Sequence, residues 1–207
     1  AMGIFFAMWT GYALFAKYWG QHERSLIATT NRYRCLWMLQ ATARDPRMLD
    51  GLITQNLSHT PSFFSSTTIL IIGALLALMG TTDKAAELVR EIPFAEQTPI
   101  LVFEFKILVL VMIFVYAFFR FSWAMRQYTF VALLIGGMPP AQDFASGVAG
   151  NRERYADRAA AMTGLAAETF NGGLRAYYFS FAALGWFFSP TMFVLATLLV
   201  AGILYTR

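Results

Sequence analysis

Glu104 and Lys106 are two ionisable residues inside an otherwise apolar run, and they are the residues most able to do chemistry in this chain. With the run starting at Ile100, they lie about 6 and 9 Å along a helix. Two residues on a helix are separated by about 200° of rotation, so the pair cannot share a face or neutralise itself. Each needs a partner on another helix, on another subunit or in a water-filled cavity. A carboxylate there can favour cations, and Lys106 is expected to be held by a neighbouring helix. The structural alternative is that Lys106 snorkels to the interface while Glu104 sits at the rim.

Three further features bear on chemistry. Ser65, Ser66, Thr67 and Thr68 form a hydroxyl-rich turn that can bond back to the preceding turn or line an aqueous vestibule. Pro190 interrupts another apolar run and frees the carbonyl near Trp186. Asn171 and Arg175 mark the entrance to that run, with Asn171-Gly172-Gly173 expected to end a helix. Arg175 is expected at lipid headgroup depth or paired with Asp157 or Glu168. His22 and His59 are the only histidines and Cys35 the only cysteine, so a catalytic triad, a metal centre and an internal disulfide are not expected. No phosphate-cradling glycine loop occurs either. No cofactor and no enzymatic activity are expected.

The elements that must position these residues follow from hydropathy. The chain has 207 residues, 57% of them hydrophobic and only 14% charged, too few to cover a soluble domain of this size. A bilayer core needs about 20 apolar residues as a helix, and four stretches qualify: about 2–18, 63–79, 100–119 and 176–205. The first is followed by its charges rather than preceded by them, which reads as a retained span and not a secretory signal. Pro61-Ser62 is expected to open the second span. The third has no breaker from Ile100 to Gly137 and is expected to run on as one long helix, ended by Gly136-Gly137-Met138-Pro139-Pro140.

The net charge of +4 follows the membrane pattern and implies no nucleic-acid partner. Connections 20–62 and 120–175 hold most of the arginines, whereas 80–98 has Lys84 and Arg90 against four acids. The two basic connections are therefore expected in the cytoplasm, with both termini outside. They read as amphipathic helices: Asp45-Pro46 starts one bearing Met48, Leu49, Leu52, Ile53 and Leu57, and Asn151 caps another bearing Tyr155, Ala159, Met162, Ala166 and Phe170. Asn31-Arg32-Tyr33-Arg34 and Asn151-Arg152-Glu153-Arg154 hint at duplication, against the plainer reading of basic helices beside a membrane. Gly73 and Ala77 form a small-residue pair suited to close helix contact.

Ser66-Thr67-Thr68-Ile69-Leu70, Phe103-Glu104-Phe105-Lys106 and the run from Phe170 to Tyr178 resemble the domain-of-unknown-function 599 membrane proteins of bacteria and plants. The resemblance covers nearly the whole chain and implies a four-span membrane protein, with no catalytic residue to carry over. The expectation is therefore an all-α, single-domain protein of four spans in a bacterial inner membrane. Its partners are the lipid bilayer and further copies of itself or a larger membrane complex. Its leading function is a homo-oligomeric channel or transporter for a small ion or solute, and the rival is an accessory subunit.

Overall fold

Apolar periodicity without strand-like alternation yields helices, and in the computed structural model every regular element among the described residues is helical. The structure describes residues 2–19, 26–82 and 99–205. The expectations placed on 20–25, including His22 and Arg24, and those on the acidic connection at 83–98 lie outside these residues. Helices α1 (Met2–Trp19), α2 (Leu26–Ala41), α3 (Met48–Met79) and α4 (Ile100–Gly136) are followed by the short α5 (Ala141–Ala145), α6 (Arg152–Leu184) and α7 (Pro190–Tyr205). A 3-10 turn, Gly185–Phe187, stands between α6 and α7.

Two helices, α3 and α4, are long and apolar enough to cross a membrane, and α1 and α7 contribute shorter apolar segments. The third stretch behaves as expected, with α4 running 37 residues, about 56 Å at the helical rise. The second begins elsewhere than expected, because Pro61 lies inside α3 and does not open a helix. Proline removes one backbone bond and crowds the carbonyl four residues earlier, a local penalty that 32 helical residues absorb. The lower end of α3 also shifts: Pro46 stays in the preceding loop. Arg47 carries the first helical bond instead, with the Gly51 amide donating to its carbonyl (3.1 Å).

The chain divides into two compact units. Unit 1 comprises Ala1–Tyr18, Ser65–Phe119 and Gly172–Arg207, and unit 2 comprises Trp19–Phe64 and Arg120–Asn171. The boundaries at 64/65, 119/120 and 171/172 fall inside α3, α4 and α6. Asn171-Gly172-Gly173 therefore does not end a helix. Two glycines cost about 1 kcal/mol each relative to alanine, and here both are buried between the apolar turns of a 33-residue helix.

Within unit 1 the expected fourth span, 176–205, is two helices folded back on each other. A Cβ on Gly185 would lie 3.3 Å from the Met192 carbonyl oxygen and 3.4 Å from the Phe193 Cα. Residues seven or eight apart on a continuous helix are about 10–12 Å apart along the axis, so the chain reverses here. Helix α1 gives the direction. Phe5 meets Phe193, while Tyr12 donates to the Leu204 carbonyl (2.9 Å) and Phe15 packs on Tyr205, so α1 and α7 run parallel. Trp9 stacks on Phe179 and Tyr12 lies under Arg175, so α1 and α6 run antiparallel. Helix α7 therefore ends beside the later turns of α1, opposite Phe5. Pro190 causes the reversal, since it has no N–H for the Trp186 carbonyl and is suited to the first position of a new helix. Ser189 caps that helix, its Oγ accepting from the Met192 amide at 3.0 Å.

Unit 2 closes around Met38, Val131 and Ile135, with Ala156, Ala159 and Ala160 letting α6 approach closely. Asn151 caps α6, accepting from the Arg154 amide at 2.9 Å. Asn31, its counterpart in the suspected repeat, lies inside α2 and accepts from Arg34 instead. The two motifs thus do different work. Tyr155 donates to the Leu134 carbonyl (2.7 Å); burial pushes its phenol above the ordinary value and Arg47 draws it partly back.

Candidate functional site

At the reversal after α6, Pro190 has no N–H for the Trp186 carbonyl, and Lys106 meets that carbonyl instead. Lys106 is 2% exposed, and its Nζ donates to the Trp186 carbonyl at 2.9 Å. The same ammonium lies 5.6 Å from the Trp186 ring centre and 5.8 Å from that of Phe187. Desolvating an ammonium costs several kcal/mol, and a charge-assisted hydrogen bond with two ring faces offsets part of it. The sequence marks Lys106 and Pro190 separately, and their meeting is a tertiary fact. Pro190 frees the acceptor and α4 supplies the donor.

Glu104 lies across the helix from Lys106 and is half-buried. It lines a cavity of about 490 Å³ with Met79, Leu101, Val102, Phe105 and Leu108. Among the described residues no hydrogen bond or ion pair reaches its carboxylate. An acceptor group of this kind, set among apolar side chains, can hold a cation or a donor from another molecule.

The hydroxyl turn divides between faces. Ser65 and Thr68 are buried, Thr67 is half-buried and Ser66 is exposed. Thr68 Oγ1 and the Tyr177 hydroxyl are 2.7 Å apart, joining α3 to α6 within unit 1. Arg175 takes neither expected partner; its guanidinium stacks over the Tyr12 ring at 5.6 Å. Asn171 sits inside α6 and caps nothing. The structure thus brings Lys106 to the Pro190 break and Thr68 to Tyr177, and leaves Glu104 apart from them. A Cβ added to Gly73 would meet no atom within 4 Å among the described residues, so no helix of this chain is seen to approach closely there.

Sequence reasoning missed a second buried charge. Asp50, in the first turn of α3, is fully buried; its Oδ1 accepts from Arg44 Nη1 (2.6 Å) and from Trp37 Nε1 (2.8 Å). Beside it, Arg47 donates to the carbonyls of Ala41, Met138 and Pro139 at 3.0, 3.0 and 2.6 Å. The available signal was Asp50 six residues after Arg44, at a helix start. Among the described residues no group of three or more His, Cys, Asp or Glu side chains could hold a metal ion.

The family model described as "Protein of unknown function, DUF599" matches residues 1–207, the whole chain. The chain belongs to the DUF599 family. No curated protein and no solved structure matches it. In this DUF599 chain, the motif residues Phe103 to Lys106 and Phe170 to Tyr178 belong to α4 and α6. Lys106 of the first motif binds the carbonyl at the reversal that follows the second.

Proposed function

We propose that this DUF599 chain is an integral membrane protein, of the inner membrane in bacteria, whose copies assemble to pass a small cation or solute, with Glu104 as the group that meets it. Glu104 carries the reading. A carboxylate among apolar side chains, with no partner among the described residues, calls for water, a cation or a donor from outside those residues. Lys106 plays a different part, because its ammonium is held at the Pro190 break, where it fixes the hairpin behind Glu104. No catalytic step is part of the reading.

Membrane placement is supported by where the apolar surface points. Only 11% of the most apolar window of α3 is buried inside the chain, so most of it faces outward. A water-soluble protein does not leave that much contiguous apolar surface uncovered. With the basic connections in the cytoplasm, the hairpin turn lies at the outer side and Tyr205 returns to the cytoplasmic side. The accessory-subunit alternative is favoured by the same outward face of α3, with Gly73 open to a neighbour.

The test is cation flux from liposomes carrying the purified protein. Glu104→Gln is expected to reduce the flux or flatten its selectivity about ten-fold, the loss of about 1.4 kcal/mol of differential interaction. Absence of flux for the common monovalent and divalent cations would favour the accessory-subunit reading.

A further inference from the structure

Among the described residues, Glu104 supplies the only side-chain oxygens of its cavity. The side chains around it carry neither oxygen nor charge. Backbone carbonyls are no substitute, because α4 runs unbroken from Ile100 to Gly136 and uses them for its own hydrogen bonds. Lys106, the nearest cation in sequence, is committed to the Trp186 carbonyl. A second cavity, of about 570 Å³, shares Phe105 and Leu108 with the first, so these two side chains form a wall common to both. Helix α1 contributes Trp9 and Ala13 to this second cavity, and α4 lines it as far as Met112 and Tyr116. From Glu104 to Tyr116 is about 18 Å along the helix. All of these residues belong to unit 1.

These surroundings discriminate between kinds of cation. Ca²⁺ takes about six to eight oxygen ligands and Mg²⁺ an octahedron of them, and one carboxylate falls short of either. An ion that kept its water shell would set that shell against apolar walls. An organic cation needs only one counter-charge, and its hydrocarbon body matches those walls. Both cavities, at about 490 and 570 Å³, fall within the roughly 300–1,000 Å³ of small-molecule sites. The Trp9 and Tyr116 rings, 5.8 Å apart and edge to face, add aromatic surface for an aryl or alkyl group. A zwitterionic phospholipid fits less well. Among the described residues no Lys, Arg or His lines either cavity to meet its phosphate, which Glu104 would repel.

We propose that Glu104 and the two cavities bind a monovalent organic cation with an aromatic or alkyl body. The charge sits at Glu104, and the body passes over Phe105 and Leu108 towards Trp9 and Tyr116. One carboxylate balances one positive charge, so a dication is left half-compensated among apolar walls. Recognition is by charge and apolar contact, so a ligand without any N–H, such as a quaternary ammonium or a phosphonium, is accepted. The inference rests on the proposed role of Glu104 and narrows its small cation to one that carries a hydrocarbon body.

Equilibrium binding of radiolabelled tetraphenylphosphonium to the full chain in lipid nanodiscs tests it, with empty nanodiscs as background. Glu104→Gln is expected to weaken binding about ten-fold or more, as loss of a poorly solvated charge partner does. Ala13→Trp, which fills the second cavity, is expected to weaken tetraphenylphosphonium about ten-fold while leaving tetramethylammonium unchanged, because only the larger ion reaches that far. A measurement on the unaltered chain stands beside these variants: a hydrophobic carbodiimide should modify Glu104, and saturating tetraphenylphosphonium should protect it. Equal binding by the native chain and Glu104→Gln, or no protection, would overturn the proposal. Unchanged size discrimination in Ala13→Trp would overturn the placement of the body. Rubidium flux that depends on Glu104, with no tetraphenylphosphonium bound, would overturn this inference and leave the proposed function standing. Binding at Glu104 with no flux of any cation would uphold the site and remove the transport reading. A phospholipid retained by the native chain, lost from Glu104→Gln and not displaced by tetraphenylphosphonium, would overturn the proposal by giving the site to lipid.

Discussion

The two units answer a buried charge in different ways. Unit 1 sets Lys106 against a backbone carbonyl and two aromatic faces, all provided by one break in a helix. Unit 2 sets Asp50 against a guanidinium and an indole N–H, and uses Arg47 to gather three loop carbonyls. Where nearly every backbone group is spent within helices, a carbonyl freed by a break in a helix is one group that can meet a cation. Where loops join helices, spare carbonyls are plentiful and arginine, with its fork of donors, collects several at once. The aromatic content is divided to match: Phe5, Trp9, Phe179 and Phe193 form one connected cluster in unit 1.

This contrast is broken most easily at Asp50. Asp50→Ala removes the acceptor of two hydrogen bonds, one of them from a cation, and leaves the Trp37 indole N–H unmatched. A loss of about 3 kcal/mol is expected, kept from being larger because Arg44 is a third exposed and can rehydrate. Denaturant unfolding in mixed micelles reads it. Lys106→Met comes next, at about 2 kcal/mol. Methionine keeps the packing against the rings but leaves the Trp186 carbonyl buried without a donor. If Lys106→Met proved neutral while Asp50→Ala was costly, water would be satisfying the carbonyl, and the reversal would not depend on the ammonium.

Much of this architecture was legible in the sequence, and the failures share a cause. The length of α4 was readable because no breaker occurs between Ile100 and its Gly-Gly-Met-Pro-Pro end, and the Asn151 cap because Asn before a helical pattern has one main use. Proline was the ambiguous signal. Pro61 reads as a helix start yet lies within one, whereas Pro190 reads as a kink yet starts a new helix. The difference lies in the neighbours. Gly185 permits the close approach and Ser189 caps the new helix, while Pro61 has no glycine beside it to let the chain turn. The partners of Lys106 and Asp50 were unreadable because pairings between residues distant in sequence leave no periodic trace, and the role of Glu104 stays a matter of chemistry rather than of pattern.

The smallest expected effect sharpens the comparison between units most directly. Ser189 caps α7 in unit 1 and Asn151 caps α6 in unit 2, each accepting one backbone N–H at the third helical position, at 3.0 and 2.9 Å. Replacing either by alanine removes the same bond. Water replaces the exposed Asn151 cap, so Asn151→Ala should cost about 1 kcal/mol. Ser189 also has the Thr191 hydroxyl within 2.9 Å, but that contact does not serve the Met192 amide. If the turn at 185–189 lies at the outer membrane surface, water reaches it and Ser189→Ala should again cost about 1 kcal/mol. If the turn is sunk in hydrocarbon, the unpaired amide has no solvent to turn to, and the loss should rise to several kcal/mol. Equal losses for the two caps, measured in the same micelles and again in bilayers of increasing thickness, are the expected result. A loss at Ser189 that grows with bilayer thickness, while that at Asn151 stays fixed, would move the hairpin from the surface into the membrane.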